Sequence, residues 1–202
     1  MPNQEATWRS ATDIAALVRS ARRARGFSQR ELAERAGLSQ SRVAVIEGAR
    51  EDPRTSTASR LLAASGHRLF AAPTIRDDVA TIAAEIRRAL AVDDLQSALR
   101  LFIQMNDNLV GERGLLRGVL AVTEPELTGA KTWDAAIAAL VEYRLNQDGV
   151  PVPEWTSSAS RRLERARPLR TGPYEMVPAR NDVPAEFLEH GVLVWRDTLE
   201  SV

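Results

Sequence analysis

Ser28-Gln29-Arg30-Glu31 followed by Gly37-Leu38-Ser39 leaves room for one short helix, a tight turn and a second helix, and for little else. Serine with glutamate three residues on is a capping box: the Ser28 hydroxyl accepts from the Glu31 amide while the Glu31 carboxylate reaches back to the Ser28 amide. Gly37 can turn the chain where a side chain would clash, so the first helix ends there. Ser39 then caps a second helix that opens at Gln40. Within the pair, Leu32, Ala33 and Ala36 fall on one face, and Val43 and Ile46 on another, with Leu38 plugging the space between. Gln40, Ser41, Ala44 and Val45 are left on the side away from the core.

The flanks extend the pattern. DIAALVRSARRARG places Ile14, Leu17, Val18 and Ala21 at helical spacing, with Arg22, Arg23 and Arg25 at the end and Gly26 as its stop. The net charge of zero conceals an imbalance: residues 1–72 hold twelve arginines against seven acids, and the remainder fifteen basic against twenty acidic residues. A cationic first third is what a phosphate backbone attracts, because neutralising phosphates releases condensed counterions.

GFSQRELAERAGLSQSRVAVIEGAREDPRTSTASRLLAASG resembles the Cro/phage-repressor (Xre-type) helix-turn-helix family. The shared pattern comprises Gln29, Leu32-Ala33, Ala36-Gly37-Leu38-Ser39, Ile46-Glu47, Gly48, Pro53 and Leu61-Leu62-Ala63, over roughly residues 12–67. The resemblance implies double-stranded operator DNA as partner, with the second helix of the pair in the major groove. Gln40, Ser41, Ala44 and Val45 then resemble the base-reading set. Glutamine can bind adenine bidentately, and an apolar side chain can meet a thymine methyl. Gln29, Arg42, Arg50 and Arg54 resemble the set that positions the backbone, although Arg42 also reads as a solvated surface arginine. Glu47 is the family's structural acid. Thr55, Ala58 and Ser65 are smaller than the family's usual residues, so either the fourth helix packs loosely or residues beyond Gly66 complete the core. His67-Arg68-Leu69-Phe70 is the candidate for a strand or arm that does so.

The expected fold is mainly α: a four- to five-helix domain over 8–70, a linker over 71–76, a helical domain over 77–149 and an irregular, proline-rich segment over 150–202. Apolar stripes led by Val79, Leu95, Leu115 and Trp133 mark four further helices. Six of the ten prolines lie between Pro151 and Pro184, around a basic stretch of Arg161, Arg162, Arg165, Arg167 and Arg170. Pro184-Ala185-Glu186-Phe187-Leu188 opens a short helix ending at His190, read as a cation at a helix terminus, and Val192-Leu193-Val194-Trp195 reads as a strand. Such a segment wraps either its own helical domain or a partner. TWDAAIAALVEYRLNQDGVPVPEW with PAEFLEHGVLVWRDTLE resembles the C-terminal region of bacterial helix-turn-helix antitoxins. That resemblance implies a cognate toxin protein as partner, with Trp155, Tyr174, Phe187 and Trp195 as contact residues.

No enzyme chemistry is legible. There is no phosphate-binding glycine loop after a strand, and only His67 and His190 are present. Without cysteine there is no thiolate metal site and no disulfide. No catalytic residue, metal or cofactor is expected. The start MPNQEATWRS lacks a signal peptide's basic and apolar regions, and no run of 18 apolar residues spans a membrane. The expectation is a cytoplasmic, dimeric repressor acting as an antitoxin that controls its own operon. The alternative is a repressor whose helical domain binds a small effector in an apolar pocket.

Overall fold

The computed structural model describes residues 6–171 and 177–200, with side chains from residue 14 on. It divides into two compact units, Met1–Pro73 with Thr123–Pro125, and Thr74–Val122 with Glu126–Val202. The fold is mainly α.

In the first unit α1 spans Ala6–Ala24, α2 Gln29–Ala36, α3 Gln40–Glu47 and α4 Thr55–Ala64. The capping box is formed: Glu31 N donates to Ser28 Oγ at 3.2 Å, and Ser28 N donates to Glu31 Oε2 at 2.7 Å. Gly37 has φ +62°, the left-handed conformation a side chain would resist, and its N–H closes the end of α2. The apolar faces converge on Val18, Ala21, Leu32, Ala33, Ala36, Val43, Ile46, Leu61 and Leu62, all buried. Among the described residues this small aliphatic core has no aromatic member.

α4 does not pack loosely. Ala58 is fully buried and Ser65 nearly so, its hydroxyl donating to the carbonyls of Leu61 and Leu62 at 2.9 and 3.1 Å. The Ser65 carbonyl accepts in turn from Arg25 Nε at 3.0 Å. His67 adds to this helix end from beyond Gly66: its backbone N–H donates to the Leu62 carbonyl at 2.8 Å, and its Nδ1 lies 2.8 Å from the Ser65 carbonyl. Of the strand or arm expected over His67–Phe70, the strand is not formed. The segment is irregular, with Leu69 39 % and Phe70 82 % exposed. Alternation of residue type made it look like a strand, but a strand also needs a backbone partner, and none lies beside it among the described residues.

In the second unit α5 spans Val79–Ala91, α6 Leu95–Gly111, α7 Leu115–Ala121 and α8 Lys131–Gln147. Asp78 caps α5 by accepting from Thr81 N at 2.8 Å. Asp94 does the same for α6 through Ser97 N at 3.0 Å. α8 is buried without interruption from Trp133 to Glu142, as befits a helix apolar on nearly every side. Phe102 of α6 meets Trp133 edge to face, with centroids 6.1 Å apart.

The irregular segment after α8 packs on α8 itself. It holds a 3-10 turn at Glu154–Ser157, α9 at Ala185–Glu189, and two short strands, β1 Arg167–Pro168 and β2 Val192–Leu193, paired in parallel. Gly191 is required where the chain crosses itself: at φ +73° an added Cβ would lie 2.8 Å from the Leu163 carbonyl. Among the described residues no helix is long and apolar enough to cross a membrane.

Candidate nucleic-acid interface

α3 is short because a cap starts it and a glycine stops it. Ser39, extended at φ −80° and ψ 150°, accepts from Arg42 N at 3.2 Å, and its hydroxyl lies 3.0 Å from that of Ser41. Gly48 follows Glu47 at the other end. Because Val43 and Ile46 are fully buried, the helix cannot roll without exposing them. The opposite face is thereby fixed outward: Gln40, Ser41 and Ala44 are exposed and Val45 half-buried. The four residues expected to read bases share one solvent-facing surface.

Glu47 sets the angle of that surface. Its carboxylate accepts from Arg22 Nε at 2.7 Å and Nη2 at 2.9 Å, a bidentate fork from α1. Gln29 Nε2 donates to the same carboxylate at 3.0 Å, and the Glu47 backbone carbonyl accepts from Arg19. Arg22 Nη1 also donates to the Phe27 carbonyl at 2.7 Å, tying in the turn before α2. One acid at the C-terminal end of α3 therefore binds α1 and α2 to it. Cations at a helix C-terminus are favoured by the helix dipole as well.

The residues expected to hold the DNA backbone are placed differently from one another. Gln29 turns its side-chain amide inward to Glu47, so its side chain positions α3. Arg42 forms a bidentate pair with Glu51, both N–O distances 2.5 Å, with the two side chains 42 % and 38 % exposed. A pair that open contributes about 0–1 kcal/mol, so an incoming phosphate competes for Arg42 with a modest opponent. Arg50 and Arg54 are exposed and engage no acid among the described residues. Sequence reasoning missed Arg19 and Glu51. Arg19 looked like any basic residue on α1, and Glu51 sits in a loop nine residues from the arginine it meets.

The aromatic residues expected to contact a partner are mostly inside. Trp155 is buried, its Nε1 donating to the Ala121 carbonyl at 3.0 Å, with the Arg161 guanidinium 5.1 Å over its ring. Phe187 is fully buried against Tyr143, edge to face at 6.3 Å. Trp195 is half-buried, and Tyr174 lies outside the described residues.

Several charges in this unit are interior. Asp134 accepts from Thr128 N and Oγ1 at 2.7 and 2.9 Å. Arg144 donates to Asn106 Oδ1 at 2.8 and 2.6 Å, and burial pulls its guanidinium below the usual arginine range. His190 does end α9, as expected, but it is not at the surface. Its Nδ1 lies 2.7 Å from the Arg161 carbonyl and its Nε2 3.1 Å from Glu142. A ring nitrogen facing a carbonyl must donate, which fixes the proton on Nδ1. His190 facing Glu142, and the Arg144 guanidinium donating to the Leu199 carbonyl, join the segment after residue 150 to α8. Among the described residues, no three His, Asp or Glu gather as metal ligands.

A family model described as a helix-turn-helix domain matches residues 13–67, the stretch that holds α2, α3, α4 and most of α1. No curated protein and no solved structure matches the chain.

Proposed function

We propose that this helix-turn-helix chain is a sequence-specific transcriptional repressor that binds operator DNA through α3. The observation that carries the reading is the outward face of Gln40, Ser41, Ala44 and Val45, held by a buried core below and by the Glu47 clamp at its end. A helix enters the major groove with its first turns against base edges, where Gln40 and Ser41 stand. Arg50 and Arg54 supply cations beside it, and Arg42 joins them when a phosphate displaces Glu51. The test is selection of binding sites from a random duplex pool, followed by titration of the selected site against an unselected duplex. A chain that enriches no sequence is not a repressor of this kind.

A single domain of this size buries a small interface, so affinity is gained by a homodimer on a two-fold operator with half-sites about 10 base pairs apart. Leu69 and Phe70, exposed beyond α4, suit the contact between copies. A mass by light scattering that stays monomeric at micromolar protein, with and without the selected duplex, contradicts this.

The finer reading is an antitoxin: the second unit neutralises a cognate toxin protein, and the pair represses its own operon. It is supported by the resemblance of residues 132–155 and 184–200 to antitoxin C-terminal regions. Co-expression with the product of the adjacent gene tests it directly, since an antitoxin rescues growth that the neighbour alone arrests.

A further inference from the structure

The second unit belongs to the acidic part of the chain, yet one segment of it is strongly basic. Arg162, Arg165, Arg167 and Arg170 are all exposed, with Glu164 the one acid among residues 161–171. Within the same unit, Arg76 pairs with Glu112 and Arg87 with Glu126. The four of this strip engage no acid among the described residues.

The strip is also held in place. Leu163 N donates to the His190 carbonyl at 3.0 Å, Arg167 N to Gly191 at 3.0 Å and Leu169 N to Leu193 at 3.2 Å. Leu169 is buried and Leu163 half-buried, so the segment is anchored by these leucines and its backbone bonds while the four arginine side chains remain exposed. A row fixed this way loses little freedom when it binds.

We propose that Arg162, Arg165, Arg167 and Arg170 form a second contact to the DNA phosphate backbone, independent of sequence. This rests on the DNA-binding reading of the first unit. Extended backbone advances about 3.3 Å per residue, so Arg167 and Arg170 stand roughly 10 Å apart along it. Duplex DNA offers a charge about every 1.7 Å of axis, so a linear row of cations finds phosphates without exact register. Guanidinium forks suit phosphate oxygens. An acidic protein partner is the competing occupant.

The test uses the full chain and a random-sequence duplex, so no operator need be known. Binding is followed by fluorescence anisotropy between 50 and 200 mM salt for wild type, for Arg165→Gln/Arg167→Gln/Arg170→Gln, and for Arg50→Gln/Arg54→Gln. Each phosphate contact adds about 0.9 to the slope of log K against log salt, so the triple variant should lose about 2–3 from that slope. Because all three positions are exposed, its melting temperature should match wild type. A lower slope in both variants supports the strip and the α3 domain together. A lower slope in the triple variant alone supports the strip and overturns phosphate binding by Arg50 and Arg54. A lower slope in the Arg50/Arg54 variant alone overturns the strip and leaves the first-unit reading standing. A wild-type chain that binds no duplex overturns both. Poly-L-glutamate binding that the triple variant loses, with an unchanged DNA slope, overturns the proposal in favour of an acidic protein.

Discussion

Glu47 is 3 % exposed and carries a charge, so its place in the interior depends on the partners it finds there. Arg22 and Gln29 provide three donors to its two oxygens, and removing one side of such a buried pair costs about 3–5 kcal/mol because the other is left uncompensated. Glu47→Ala should therefore destabilise the first unit by about that much, read as a shift in its denaturation midpoint. Gln40→Ala should leave the midpoint alone and instead cost about 1–3 kcal/mol of discrimination between a selected duplex and a random one. Equal losses on both duplexes would show that Gln40 does not read a base. The outward place of Gln40 and the structural place of Glu47 were legible in the sequence, because a helical face and a family pattern are local. Arg42 was not: its partner Glu51 comes from a loop, and loop geometry is not periodic. Glu51→Gln frees Arg42 for phosphate, so it should tighten binding to any duplex, whereas unchanged affinity would assign Arg42 to the solvent-facing surface.

At the scale of elements, caps decide where helices start, and their protonation makes those starts sensitive to pH. Hydrogen bonds from Ser28 hold the Glu31 carboxyl below its ordinary range. The unfolded chain then takes up the proton first on acidification, so the contribution of Glu31 is present above its ordinary value near 4.5 and is lost as pH falls through the lowered one. Ser28→Ala should cost α2 about 1 kcal/mol at neutral pH. Asp78 has the opposite sign. Burial pushes its carboxyl up, against the hydrogen bonds from Thr81, so the folded state favours the protonated form and ionisation weakens α5 as pH rises. Asn caps a helix as well as Asp does but carries no charge to desolvate. Asp78→Asn should thus raise the melting temperature at pH 7, with the gain closing toward pH 4; a gain that does not change with pH would mean that ionisation of Asp78 is irrelevant. The caps of α2 and α3 could be read from Ser28, Glu31 and Ser39 because each is a fixed spacing. The start of α1 at Ala6 could not, since nothing before Asp13 marks a beginning, and the supposed strand after Gly66 failed because pairing is a property of two segments.

For the whole molecule the open choice is between an irregular segment that completes its own domain and one that grips a partner, and the two choices separate in what a lost tryptophan does. Trp155 is buried, bonded through Nε1 to Ala121 and covered by Arg161, with Phe187 inside the same core. Deleting such a side chain costs roughly 3–5 kcal/mol, so Trp155→Ala should lower the unfolding temperature of the second unit in the isolated protein. DNA binding should persist, since the fixed face of α3 rests on a core to which Trp155 does not belong. Trp195 is only half-buried, and its truncation should cost less in stability. It is therefore the sharper probe of the antitoxin reading: exposed aromatic surface is where interface energy concentrates, and losing an anchor there costs ~2 kcal/mol or more of binding. Trp195→Ala should leave the protein folded and on DNA while weakening its rescue of cells that express the neighbouring gene. A chain ending at Pro73 keeps α1–α4 whole and should bind duplex DNA, more weakly if the second unit contributes, but it should give no rescue. Rescue by that shortened chain as effective as by the full one would remove the second unit from toxin neutralisation and leave it to the DNA alone.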